Sequence, residues 1–194
     1  GAVGLFYAPK VTGKLALVEI QPELADMAKR SIAMNELTQR VSVIESDMKA
    51  IFEDIQPGSV ETVLSNPPYF PLNETTKTNH DKHYQLARHE LTIDLPGLAQ
   101  VVNKLLKNNG KFYMVHRPDR LADIFAAFAS RKLMIKRIQF VYGKANREAN
   151  MVLIEAIKSG RPGGVRIMPP IIAYTSENNY TKAVSDILYG TSWS

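Results

Sequence analysis

The motif Asn66-Pro67-Pro68-Tyr69 combines residue types that suggest chemistry at the end of a strand, since it directly follows the apolar run 60–64. Proline fixes φ, donates no N–H and keeps the residue before it out of the helical region. Two consecutive prolines therefore form a stiff, extended corner. Such a corner holds the amide side chain and the backbone carbonyls in a fixed direction beyond the strand. A ligand-facing role explains this combination better than a plain turn does.

Acidic residues follow the two preceding strands of the predicted sheet. Glu19 lies near the end of the apolar run 14–20, and Asp47 follows the run 41–44. In nucleotide-binding α/β sheets, an acid in the position of Glu19 accepts hydrogen bonds from ribose hydroxyls. Asp47 can accept from an adenine amino group while Met48 packs on the ring. Alternatively, Glu19 is an exposed acidic residue that flanks a helix, and Asp47 is the N-cap of a helix.

The elements that position these residues alternate between strands and helices. The hydrophobic pattern predicts strands over 14–20, 41–44, 60–64, 111–116, 134–142 and 150–158. It predicts helices over 1–8, 22–35, 49–55, 90–106, 118–130 and 180–188, with Asn108-Asn109-Gly110 as a helix stop. This order is typical of an α/β fold with a doubly wound, mostly parallel sheet and ligands at the carboxyl ends of its strands. Only a short loop joins the last two strands, so we expect the last strand to be antiparallel.

Length and composition favour one domain with a small appendage, and we expect the domain over 1–160 and a C-terminal extension packing on it over 161–194. The chain has 194 residues, 45% of them hydrophobic, and no cysteine, which excludes disulfides, thiolate metal sites and a cysteine nucleophile. No His, Asp or Glu grouping has metal-ligand spacing, so we expect no metal. No apolar run approaches a membrane span and no signal-type segment opens the chain, so we expect a cytoplasmic location without a membrane partner. The polar stretch 71–87 is predicted to be a functional or disordered loop.

Positive charge is concentrated in one part of the chain. Between residues 131 and 166 there are nine basic and two acidic residues, an excess of +7 against a net charge of +5 for the whole chain. Such an uneven distribution is typical of a surface that contacts a phosphate backbone. The alternative is a solvated face that serves only solubility.

The Asn-Pro-Pro-Tyr motif resembles the signature of class I S-adenosylmethionine-dependent methyltransferases that alkylate a planar nitrogen. The opening residues 1–5 resemble the tail of the glycine-rich first motif of those enzymes. Within that superfamily the chain is similar to the tRNA adenine-N6 methyltransferases that act beside the anticodon of valine tRNA. This similarity lies in the segments 18–21, 24–31, 66–70, 87–90, 115–118 and 137–141.

The resemblance implies roles for individual residues. S-adenosylmethionine would be bound by Gly1, Glu19, Ile20, Asp47, Met48 and Asn66. Catalysis would fall to Asn66, Pro67, Pro68 and Tyr69. The anticodon region of tRNA would be contacted by Tyr69, Phe70, Arg88, His89, His116 and Arg117. Alternatively, Phe70 is a core aromatic residue that closes the strand end. Arg88 and His89 can alternatively belong to the N-terminal turn of a helix with an internal ion pair.

In the family, the first strand and most of the glycine-rich turn precede the position of Gly1. We therefore expect a longer protein, and we expect a polypeptide that begins at Gly1 not to bind S-adenosylmethionine measurably. Two other functions stay open. Asn-Pro-Pro-Tyr also serves enzymes that methylate a glutamine amide in translation release factors, and a methyltransferase scaffold can act as a non-catalytic RNA-binding module.

Overall fold

A computed structural model of the chain describes residues 2–67 and 94–189. These residues form two compact units, one of residues 2–60 with 94–107 and the other of residues 61–67 with 108–189. Several predictions fall outside the described residues, namely those for Gly1, Pro68, Tyr69, Phe70, the loop 71–87, Arg88 and His89.

The first unit is built on a β–α–β segment. Strand β1 (Leu15–Glu19) and strand β2 (Val41–Glu45) pair in parallel, with Leu15 opposite Val41 and Glu19 opposite Glu45. Helix α2 (Pro22–Met34) connects them, and its proline occupies the first turn, where the missing N–H costs no hydrogen bond. The buried face of the unit consists of Ala8, Leu17, Ala28, Ile32 and Val41.

Two further helices belong to this unit. Helix α1 (Ala2–Tyr7) runs into a 3-10 turn at Ala8–Lys10, and the Arg40 guanidinium fastens the segment after it by donating to the carbonyls of Ala8 and Val11, each at 2.7 Å. Helix α3 (Leu95–Leu105) is capped by Asp94, whose Oδ1 accepts from the Gly97 N–H at 2.7 Å.

The second unit contains a six-stranded sheet. Its long strands are β3 (Val60–Ser65), β4 (Leu106–His116), β5 (Leu133–Tyr142) and β6 (Ala149–Lys158). The spatial order is β3-β4-β6-β5-β7, where β7 (Arg166–Ile167) and β8 (Ile171–Ile172) both pair in parallel with β5. Strand β6 is antiparallel to both β4 and β5. The predicted α/β fold and its antiparallel last long strand are thus confirmed, whereas the position of β6 between β4 and β5 is an addition to the prediction.

Helix α4 (Leu121–Ser130) covers one face of this sheet. Phe128 is fully buried and packs against Phe112 of β4, with ring centroids 5.3 Å apart. Ile124 of the helix and Ile154 of β6 are also buried. A second helix, α5 (Lys182–Tyr189), follows β8. The described residues of 161–189 all belong to this unit, while the predicted domain boundary at residue 160 stays a prediction.

Two predictions about helices are wrong, namely the helix stop at 108–110 and the helix over 49–55. Helix α3 ends at Leu105, because Leu106 is fully buried in an extended conformation and begins β4. The predicted stop Asn108-Asn109-Gly110 therefore lies inside β4, where Asn109 has a φ of 62°. The helix predicted over 49–55 is only a turn followed by a 3-10 helix, Ile51–Glu53.

No helix among the described residues is both long and apolar enough to cross a membrane.

Candidate functional site

Glu19 lies at the carboxyl end of β1, as predicted. Its side chain is half-buried and folds back on the chain, so that Oε1 accepts from the backbone N–H of Ile20 at 3.1 Å and of Gln21 at 3.3 Å. The backbone carbonyl of Glu19 accepts from the Ser46 N–H at 3.1 Å, which joins the ends of β1 and β2. The carboxylate is therefore held at the strand end in a fixed orientation.

Asp47 follows β2 two residues after Glu45. Its Oδ1 accepts from the Lys49 N–H at 2.8 Å and its carbonyl accepts from the Ala50 N–H at 2.9 Å, so it caps the turn that follows. Met48, in the same turn, is half-buried. Asp47 thus caps a turn and not a helix, since the 3-10 helix that follows has Ala50 as its N-cap. This cap is compatible with ligand binding because it lies at the carboxyl end of a parallel strand. Two carboxylates on adjacent parallel strands can accept hydrogen bonds from hydroxyl or amino groups.

In the second unit, Asn66 and Pro67 follow directly after β3. Asn66 is exposed, whereas Pro67 is buried. The buried ring fixes the backbone at the point where the amide emerges, which agrees with the stiff corner that the sequence predicts. The catalytic and binding roles of these residues stay predictions.

His116 and Arg117 end β4 and differ sharply in exposure. His116 is 3% exposed, and its Nδ1 accepts from the Arg117 N–H at 2.8 Å. Burial lowers the pKa of His116 below its ordinary value of 6.5, so the ring is neutral near pH 7. Arg117 is exposed and pairs with Asp119 at 3.2 Å. Contact of this strand end with RNA stays a prediction, and Arg117 is the residue of the two whose side chain reaches the surface.

A cluster that the sequence analysis did not identify crosses the second sheet. Tyr113 of β4 and Arg137 of β5 both lie opposite Glu155 of β6. The Arg137 Nε donates to Glu155 Oε2 at 3.0 Å, and Arg137 Nη2 also contacts this oxygen. Burial opposes ionisation of Glu155, but hydrogen bonds from Arg137 and Tyr113 outweigh it and hold the pKa of Glu155 below its ordinary 4.5. Burial and the bond to Glu155 raise the pKa of Tyr113. A lone acid in the apolar run 151–157 is the sequence signal that could have indicated this cluster.

Replacing Arg137 with leucine should lower the free energy of unfolding by about 2 kcal/mol, because it leaves a buried carboxylate without its main partner. Urea denaturation at pH 7 measures this loss, and the Arg137→Leu/Glu155→Leu double variant should recover much of it. Because the folded-state pKa of Glu155 is lowered, its contribution is present above about pH 4.5 and is lost as the pH falls through the folded value.

Arg166→Leu is the matched control, since Arg166 of β7 lies opposite Arg137 and is, like Arg137, an exposed arginine. Equal losses in the Arg137→Leu and Arg166→Leu variants would contradict a specific role for the pair with Glu155.

Other basic residues of the segment 131–166 also hold the fold together. The Lys136 amine donates to the carbonyls of Arg161 and Gly163, the latter at 2.7 Å, and the Lys144 amine donates to the Ser176 carbonyl at 3.3 Å. Only part of the predicted phosphate-contact surface is therefore available for that role without a structural cost. Among the described residues, no group of three or more His, Asp or Glu side chains could hold a metal ion.

No family model matches the chain. Among curated proteins, it is 30% identical over 142 residues to the tRNA1(Val) (adenine(37)-N6)-methyltransferase of Aeromonas hydrophila, covering 73% of this chain and 57% of that protein. It is 26% identical over 140 residues to the enzyme of the same name from Porphyromonas gingivalis, covering 71% and 54%. The predicted resemblance is thus confirmed, and the chain spans about half the length of the curated relatives it matches.

Solved structures agree on the fold. A predicted O-methyltransferase from Agrobacterium tumefaciens has a TM-score of 0.75 at 22% identity, over 98% of this chain and 84% of that one. A geranyl diphosphate methyltransferase in complex with SAM has a TM-score of 0.59 at 12% identity, over 81% and 74%. These similarities show that the chain has the Rossmann-like fold of class I methyltransferases.

Proposed function

We propose that this chain, which has the class I methyltransferase fold and is similar to tRNA1(Val) methyltransferases, serves in S-adenosylmethionine-dependent methylation of N6 of an adenosine beside the anticodon of tRNA. The observation that carries the proposal is the sequence similarity to relatives whose names specify adenine 37 of a valine tRNA. The exposed amide of Asn66 at the end of β3 supports it, because that position suits an acceptor for an amino group.

The hydrogen-bond acceptors of the first unit fit the cofactor. Ribose hydroxyls and an adenine amino group are hydrogen-bond donors, and the two strand-end carboxylates are acceptors. Glu19 binds the ribose with a carboxylate that two backbone N–H groups already orient. Asp47 accepts from the adenine amino group, and Met48 packs on the ring. When bound, S-adenosylmethionine supplies the electrophilic methyl group.

The corner after β3 activates the acceptor nitrogen. The exocyclic nitrogen of adenine is a poor nucleophile, since its lone pair is delocalised into the ring. The Asn66 side-chain oxygen and the Pro67 carbonyl accept hydrogen bonds from the two N–H groups of this nitrogen. These bonds draw the nitrogen toward tetrahedral geometry and direct its lone pair at the methyl group. Tyr69 stacks on the base, which is turned out of the RNA. Catalysis therefore rests on positioning, and the product ammonium releases its proton without a strong base.

Turning the base out of the RNA has a low free-energy cost in this substrate. Enzymes that act on a base inside a duplex must break its pair and its stacking, which costs a few kcal/mol. An adenosine in the anticodon loop is unpaired, and single-stranded loops are the RNA elements whose bases proteins most readily bind.

The test uses full-length protein, labelled S-adenosylmethionine, a panel of unmodified tRNA transcripts and a release factor. We expect label in a valine tRNA, and we expect it to disappear when adenine 37 of that transcript is replaced by guanine. Label in the release factor and in no tRNA would overturn the RNA substrate in favour of glutamine methylation. Binding of tRNA without any transfer would favour the non-catalytic module.

A further inference from the structure

An exposed pair of stacked tyrosines lies in the second unit beyond the end of β5. Tyr174 and Tyr180 face each other across an antiparallel bridge, with ring centroids 5.1 Å apart and ring planes inclined by 21°. They are 38% and 44% exposed. Each ring covers one face of the other, and both residues remain partly exposed to solvent. We call these two residues the tyrosine platform.

The backbone holds the tyrosine platform rigidly. The Thr175 N–H donates to the Asn179 carbonyl at 2.9 Å and closes the turn between the two tyrosines, where Asn178 has a φ of 65°. The Tyr174 N–H donates to the Gly143 carbonyl at 2.9 Å, which attaches the hairpin to the end of β5. A hydrogen bond with the Tyr174 hydroxyl raises the pKa of Tyr180, so the two phenols are also linked.

The tyrosine platform lies at the same end of the sheet as the predicted RNA contact at Arg117, which is the end where β4 and β5 terminate. Strands β4 and β5 are both antiparallel to β6, so they run in the same direction and their carboxyl ends lie at the same edge. One strand separates them, which places them about 10 Å apart. The loop after β5 adds the exposed Arg147. An RNA that contacts Arg117 can therefore extend toward the tyrosines without leaving this edge.

We propose that the tyrosine platform stacks an unpaired base of the RNA substrate, and thus docks a single-stranded part of the tRNA at the carboxyl edge of the second sheet. This inference rests on the proposed function for the identity of the RNA. Open aromatic faces are how proteins hold single-stranded nucleic acid without reading its sequence. Lys144 and Arg147 are balanced in charge by Glu148 and Glu177 of the same two loops, so stacking rather than charge supplies the affinity.

The test measures binding of a fluorescently labelled anticodon stem-loop to the full-length protein by anisotropy. Tyr180→Leu, which keeps an apolar side chain but removes the ring, should raise the Kd by about 10-fold. Tyr180→Phe should bind like the unsubstituted protein. The slope of log Kd against log salt should not change in either variant, because a ring–base contact releases no counterions.

Tyr189→Leu is the matched control, since Tyr189 is 77% exposed but lies at the far end of α5. An unchanged Kd in folded Tyr180→Leu, or an equal loss in Tyr189→Leu, would overturn the platform. Methyl transfer separates this result from a failure of the proposed function. Transfer to tRNA with an unchanged KM in Tyr180→Leu counts against the platform alone, whereas absent transfer by the unsubstituted protein counts against the proposed function.

Discussion

Replacing Asn66 with alanine in the full-length protein should reduce kcat for methyl transfer to tRNA by about 100- to 1,000-fold, which is the usual loss when a preorganised polar group at a reacting centre is removed. The amide oxygen is one of only two acceptors assigned to the amino group, and alanine cannot replace it. The affinity for S-adenosylmethionine should stay nearly unchanged, because the two carboxylates of the first unit are the groups proposed to supply its main polar contacts. Single-turnover transfer and calorimetric cofactor titration measure the two effects.

The conservative variant Asn66→Asp is the control for this experiment. A carboxylate also accepts hydrogen bonds, so activity should recover in part. Turnover by Asn66→Ala close to that of the unsubstituted protein would refute the assigned role. Loss of cofactor binding in the same variant would mean that Asn66 acts on the cofactor instead of the base.

Replacing Phe128 with alanine should lower the free energy of unfolding by about 3–5 kcal/mol, because it opens a cavity in the layer between α4 and the sheet. Phe128 is fully buried and its ring contacts Phe112, so the loss combines transfer of the ring to water with loss of an aromatic pair. Urea denaturation followed by far-UV circular dichroism measures the change.

The same substitution three residues earlier on α4 provides the control. Phe125 is 43% exposed, and Phe125→Ala should cost about 1 kcal/mol or less. The hydrophobic pattern places both phenylalanines on one face of the helix. Equal losses of unfolding free energy in the two variants would therefore mean that both rings are packed alike, against the burial observed.

Local sequence patterns predicted the parts of the fold that depend on neighbours in the chain. Strands β1, β2 and β3 are short apolar runs that end at polar residues, and each forms within one residue of its predicted bounds. The strand-end positions of Glu19, Asp47 and Asn66 follow from those runs. Proline at the start of α2 likewise marked the beginning of that helix.

Features that depend on the order of the strands in the sheet could not be predicted in this way. The insertion of β6 between β4 and β5, and with it the row of Tyr113, Glu155 and Arg137, requires knowing which strands are neighbours. For the same reason the charge count of the segment 131–166 cannot show that Arg137 pairs with Glu155. His116 is buried because it lies on the face of β4 that also carries the buried Phe112 and Met114, which its position at a strand end does not indicate. The predicted helix stop after α3 was wrong because the burial of Leu106 outweighed the turn preference of the residues after it.

The two short strands along β5 have a consequence for association between copies of the chain. β5 is ten residues long, and its side away from β6 would be a continuous edge on which another extended chain could form a ladder. β7 and β8 occupy only two residues each, and Pro169 and Pro170 separate them. The Gln139 side chain donates to the Pro169 carbonyl at 2.9 Å and fills the gap. Because proline offers no N–H, this border resists the edge-to-edge pairing from which β-aggregates grow.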